Sequence, residues 1–492
     1  MSQRWWICPL LLFSSVAFAG IKPTHGVSTG AHSPSTLPVT TPSTEARRKF
    51  EHAMRNFEDY RLDESLHHLR EAVKADPKFA QAFILIAKIS RDPVEQAAAR
   101  RRAKSLAAEV SPGEQLLIRW LACAQEDDYL PAIAAMNDLL SMFPDDHRLA
   151  FLAGDWLVLQ GRYEQATMIL QHALTLYQDY PAALNDLGYT YAFSGDFDKA
   201  FATMERYAAL EPDEPNPHDS YGEILRMAGK FDAALEQYRM SVHIDPNFGS
   251  EVGIADTYAL MGHEQDARDE YDRAIVFAGT QSDKLQYELQ SGLTWIRENS
   301  RKQAEKALTD VAKHAHAAGL AYYEAEAQRV LAMYEPDLKS SLKRLQLAQS
   351  VLEEPHELSE SDRNDEQARI LRVRASRAAE AKDMQTAVDG LNQLETMAEK
   401  SRSQTVQLSY HGAAGAVLMA QDSAAEAIPH LEEDSRDPLS MHLLWRAYTD
   451  TGARAQAQAM AAKLAALNVP TPEQALVVPQ FRATLVSKAE QR

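Results

Sequence analysis

The chain has almost no cysteine: two residues, Cys8 and Cys123, in 492. Cys8 falls in an N-terminal stretch read below as a cleaved leader, which leaves Cys123 alone and excludes an intrachain disulfide framework. Cys123 lies in an apolar stretch, 116–124, where a packed thiol is expected rather than a reactive one. Motifs that carry chemistry are also missing. There is no nucleotide-binding glycine loop, zinc-protease helix or paired-cysteine metal site. His263-Glu264 and His356-Glu357 both lack the second histidine of a metalloprotease helix. His314 and His316 are two apart, a spacing that points them to different faces of a helix. No carboxylate pair has a setting that would make one an acid and the other a base. The expectation is therefore a non-enzyme, with no catalytic residue, no metal and no cofactor.

Positive charge is short as well, with 51 Lys and Arg against 70 Asp and Glu, a net charge of −19. Such a chain repels phosphate backbones, so nucleic acid is not an expected partner. Basic protein surfaces would be attracted instead. The cluster Arg100, Arg101, Arg102 and Lys104 reads as a solvated helix face within this acidic background. Only one long apolar run exists, residues 5–18, and it falls short of the ~20 residues that span a bilayer. Arg4 before it and Ala17-Phe18-Ala19 after it resemble a secretory signal peptide, 1–19, cleaved after Ala19. A periplasmic or secreted protein, without a stable membrane span after cleavage, is expected. Residues 20–44, rich in Ser, Thr, Pro and Gly, read as a flexible linker. The G-x-S-x-G match at Gly26–Gly30 lacks the strand and helix its chemistry needs, so it is accidental.

What the chain does have is a period. Gly161, Gly195 and Gly229 stand 34 residues apart, each followed two places on by an aromatic (Tyr163, Phe197, Phe231) and five places on by an alanine (Ala166, Ala200, Ala234). Gly154, Gly188 and Gly222 precede them by seven. Glu211-Pro212 and Asp245-Pro246, again 34 apart, stop the helices before them. A fixed period of this size marks stacked helical hairpins, each turning at a glycine that accepts the left-handed conformation. A lone hairpin leaves an apolar face open, so stability must come from stacking.

These residues resemble the tetratricopeptide repeat family. Units 147–180, 181–214 and 215–248 follow its pattern, and 248–281 keeps Ala255, Tyr258, Gly262, Ala267, Tyr271 and Ala274 with Glu264 in place of the aromatic. The resemblance implies an all-α superhelix, a solenoid of stacked antiparallel helix pairs, over an array at 45–281. After 281 the period drifts, though helical patterns continue at 283–298, 301–318, 320–334, 338–352, 363–380 and 383–400, with a charged joint at 353–362. Register tightens again through Gly415, Ala427, Tyr448, Gly452 and Ala457, so 282–470 reads as a second, degenerate section. The tail 471–492 either folds back as a cap or stays loose.

In the family, the first helix of each pair lines a concave ligand surface. Carried onto this chain, that role falls to Phe151, Asp155, Asn185, Tyr189, Phe193, Asp219, Glu223, Arg226 and Asp256. Their mixture of acids and aromatics implies an exported scaffold that holds a protein or peptide with apolar anchors and basic groups. An envelope-polymer or carbohydrate-binding repeat protein is the alternative.

Overall fold

The computed structural model describes residues 36–126, 128–354 and 358–490. The expected leader, the Gly26–Gly30 match and His356-Glu357 lie outside them. Among the described residues there are 25 α-helices, one 3-10 turn and no strand. The first four pairs are α1–α2 (Thr44–Glu58, Leu62–Ala75), α3–α4 (Ala80–Ile89, Pro93–Leu106), α5–α6 (Pro112–Gln125, Tyr129–Met142) and α7–α8 (His147–Leu159, Tyr163–Leu176). Next come α9–α10 (Pro181–Phe193, Phe197–Leu210), α11–α12 (Pro215–Met227, Phe231–Ile244) and α13–α14 (Glu251–Met261, Glu264–Phe277). The degenerate section supplies α15–α16 (Gln281–Arg297, Arg301–Ala317), α17–α18 (Ala321–Tyr334, Leu338–Glu353) and α19–α20 (Glu360–Glu380, Met384–Lys400). It continues with α21–α22 (Gln404–Ala420, Ala424–Glu433) and α23–α24 (Pro438–Asp450, Arg454–Ala465). A last helix, α25, covers Pro472–Glu490.

The turns form for the reason the period implied. Gly195 sits at φ 82° and Gly229 at φ 74°, in the left-handed region. There the N–H of Asp196 reaches back to the carbonyl of Tyr191 at 2.9 Å, and that of Lys230 to Leu225 at 2.9 Å, satisfying carbonyls that the helix end exposes. Close approach is the other use of glycine. The Tyr238 ring lies between Gly222 and Gly253, where an added Cβ would stand 3.0 and 2.2 Å from ring atoms. Helices α11 and α13 can therefore press on both sides of one aromatic from α12.

Apolar contact runs on from pair to pair. Trp120 of α5 meets Trp156 of α7 edge-on, with ring centroids 6.0 Å apart, and Tyr129 of α6 stacks on Trp156. The stack continues past 281: Leu285, Leu289 and Leu293 of α15 share a core with Leu308 of α16 and Val330 of α17. On either side of the 353–362 connection, of which 355–357 are not described, Leu352 and Ile370 belong to one core.

Both ends are tied down. The linker expected at 20–44 is not loose throughout, because its described part is docked along one edge of the stack. The Leu37 N–H donates to Asp146 at 2.8 Å, the Thr40 N–H to Glu114 at 2.8 Å, and the Thr41 hydroxyl to Asp76 at 2.5 Å. The tail folds back. Ala475 joins the core of α15, while Val478 and Phe481 pack with Met441 and Leu464.

Candidate partner-binding site

The nine residues assigned to the inner surface fall into two groups. The first is covered by the chain itself. The turn between α1 and α2 inserts against α7 and α9, and the Tyr60 hydroxyl donates to Asp186 at 2.5 Å. Glu58 accepts from Arg148 at 2.7 Å and from the Tyr180 hydroxyl at 2.9 Å. Phe151 is enclosed by Phe57 and Tyr180, with ring centroids 5.9 and 5.6 Å away. Asp155 is held by Lys88 at 2.7 Å, and Asn185 lies against the Tyr60 hydroxyl. Phe151, Asp155 and Asn185 are consequently buried, with 1, 6 and 2% of their surface exposed. A partner would have to displace the first two hairpins to touch them.

The second group forms a polar chain across successive repeats. The Tyr189 hydroxyl donates to Glu223 at 2.8 Å, and Arg226 bridges Glu223 and Asp256 at 3.0 Å each. Tyr271 donates its hydroxyl to the other Asp256 oxygen. The Ser250 hydroxyl donates to Asp219 at 2.6 Å. Burial pushes the carboxyls of Asp219 and Glu223 up, and the Arg226 cation opposes that push. Tyr189 is buried behind this layer; Asp219, Arg226 and Asp256 are themselves only 4, 4 and 5% exposed, and with Phe193 and Glu223 they form the wall of a chamber.

That chamber has a volume of about 850 Å³. Its far wall comes from the degenerate section, and the link 466–471 with Glu473 lines one side. Arg329 of α17 binds Glu366 at 2.6 Å and Glu473 at 3.5 Å. Arg372 of α19 binds Asp434 at 2.6 Å and Asp437 at 2.8 Å. Burial raises the Asp434 carboxyl to about 7 despite that partner. At the seam, Arg436 donates to the Tyr163 hydroxyl at 2.7 Å and lies over its ring at 4.6 Å, joining the loop after α22 to the fourth hairpin. Gln290 donates to the Pro470 carbonyl at 3.1 Å.

None of the far-wall residues was found from sequence. They sit where the 34-residue register is lost, and their partners are distant in the chain. The other sequence candidates resolve simply. His314 and His316 face separate carboxylates, Glu288 at 2.8 Å and Glu324 at 3.0 Å. Arg100 and Lys104 pair with Glu126 on the surface. Cys123 is half-buried, and burial pushes its thiol up, away from the reactive thiolate. Among the described residues no group of three side chains could hold a metal ion, and no helix is long and apolar enough to cross a membrane.

Residues 157–224 match the tetratricopeptide repeat family model. No curated protein matches the chain. Among solved structures, the APC/C hetero-tetramer Cut9–Hcn1 aligns over 82% of this chain and 76% of its own, at 17% identity and a TM-score of 0.36. A MamA crystal structure aligns over 35% of this chain and 92% of its own, at 16% identity and a TM-score of 0.28. MamA MSR-1 aligns over 34% and 95%, at 22% identity and a TM-score of 0.27. The chain thus carries tetratricopeptide repeats at 157–224 and folds as an all-α superhelix of stacked antiparallel helix pairs.

Proposed function

We propose that this chain is an exported, non-catalytic scaffold that holds a segment of a protein or peptide partner inside its superhelix. One observation carries the reading. The chamber of about 850 Å³ is walled on one side by Phe193, Asp219, Glu223, Arg226 and Asp256, five residues that the family resemblance assigned to ligand contact. Its volume lies within the ~300–1,000 Å³ range of sites that enclose a ligand on most sides. An α-helix ~10 Å across would fill it within about two turns. An extended segment of a few residues is therefore the better fit than a long amphipathic helix. Among the described residues, the hydrogen bonds that Asp219, Asp362 and Asp365 accept at their carboxylates come from serine hydroxyls, those of Ser250, Ser359 and Ser403. Lysine or arginine side chains on the partner would suit them, and Phe193 offers an apolar contact. The Ala17-Phe18-Ala19 pattern supports export.

Affinity capture of the mature chain from its native envelope, compared with Phe193→Ala and Asp365→Asn, tests this. Loss of the same partner in both variants, with unchanged helical circular dichroism, is expected. Undiminished capture by both would overturn the chamber reading.

A further inference from the structure

The chamber's cations are not alike. Arg226 and Arg372 each face two carboxylates, Arg329 faces three, and Arg369 approaches Glu366 at 3.5 Å. Arg436 and Lys463 also line the chamber, and among the described residues no carboxylate lies within ion-pair distance of either.

The two are also held in place. The Tyr163 hydroxyl and ring fix the plane of the Arg436 guanidinium, a group with five N–H donors in a rigid fork. Lys463 stands at an exposed edge of the chamber, where its ammonium donates to the carbonyl of Ser435, the residue before Arg436, at 3.1 Å. Burial lowers the Lys463 pKa, and the neighbouring Arg436 charge lowers it further. Two like charges lining one end of the chamber repel each other, and a bound anion would relieve that repulsion.

We infer that Arg436 and Lys463 form an oxyanion seat at the seam of the chamber, taking a carboxylate or phosphate group. This rests on the chamber reading and deepens it: the partner would bring an anionic group to this end and cationic groups to Asp219, Asp362 and Asp365. A planar carboxylate or a phosphate oxygen pair matches the arginine fork, and the ammonium supplies a point charge beside it.

The test needs no partner. Inorganic phosphate and acetate are titrated separately into the full chain at constant ionic strength, balanced with chloride, and thermal stability is followed. Native protein should respond to at least one of the two, and Lys463→Gln and Arg436→Gln should each bind it about tenfold or more weakly. A response to acetate as well as phosphate assigns a carboxylate-bearing partner, and a response to phosphate alone assigns a phosphorylated one. Because Arg436→Gln also loosens the seam, the lysine variant decides. If it responds like the native chain, or if the native chain responds to neither anion beyond chloride, the seat is refuted. That failure would leave the capture result for Phe193→Ala and Asp365→Asn standing on its own.

Discussion

The array around 147–262 and the section from 282 to 433 build the same hairpin with different residues at the turn. In the first, Gly161, Gly195, Gly229 and Gly262 take the left-handed conformation. In the second, Asn299, Lys382 and Asp422 take it within hairpins, at φ 55°, 62° and 62°, and glycine keeps it only between pairs, at Gly319. The backbone bond across the turn survives the exchange: Ser300 N–H reaches the Trp295 carbonyl at 2.8 Å, and Ser423 N–H reaches Leu418 at 3.0 Å. Tyr60 makes the same turn in the first hairpin at φ 57°. Stacking therefore dictates the turn, and glycine merely makes it cheaper. A non-glycine residue there costs roughly 1–2 kcal/mol, less for Asn and Asp, whose short polar side chains tolerate the conformation.

The largest break in this comparison should come from close approach rather than from turns. Gly253→Ala would drive a methyl into the Tyr238 ring, which is clamped from the other side by Gly222 and cannot step aside. A loss of about 3 kcal/mol is expected by urea denaturation. Gly195→Ala should cost about 1 kcal/mol, entirely through backbone strain, because nothing lies within 4 Å of the added methyl.

Acidity separates the two regions in sign. Where the first hairpin's turn meets the loop after α10, burial and neighbouring carboxylates raise Asp59 to about 6 and Glu211 to about 7. Both values lie above those of an unfolded chain. The stability these groups contribute is complete below about pH 4 and is lost as pH rises through 6 to 7. Glu211→Gln, which mimics the protonated form, should stabilise the chain at pH 8 by on the order of 1 kcal/mol, discounted for the solvent on its open side. The gain should vanish by pH 5. In the second section, His411 and His430 approach at 3.0 Å, and burial with that neighbour lowers His411 to about 4. Its contribution is present above pH 6.5 and is lost as pH falls toward 4. Melting temperature against pH for the native chain, Glu211→Gln and His411→Gln would separate the two trends. The smallest change is Asp422→Gly, which should gain about 0.5 kcal/mol by relieving the turn. A loss there would mean the aspartate does more than tolerate its conformation.

The same contrast explains what the sequence could convey. Helix pairs were legible wherever glycine, aromatic and alanine kept phase, and the drifting section was legible as helices without a register. Inward-facing positions such as Asp219 and Asp256 followed from the family resemblance that the period supports. Their accessibility did not. Phe151, Asp155 and Asn185 are covered because Tyr60 reaches Asp186 and Lys88 reaches Asp155, 126 and 67 residues away, and no local pattern encodes such contacts. The far wall was invisible for the same reason: Arg436 finds Tyr163 across 273 residues. The tail's return could be posed but not decided, since its two prolines stop neither α25 nor its packing on Met441 and Leu464.

That return, with the Arg436–Tyr163 seam, closes the superhelix around its chamber, and everything said of ligand contact depends on the closure. Electron–electron distance measurement between spin labels at Glu164 and Glu433, with Cys8 and Cys123 both replaced by serine, reports on it directly. A single narrow distance that broadens when Arg436 is replaced by glutamine is the predicted result. A broad distribution in the native chain, indifferent to Arg436, would describe an open solenoid and contradict the account.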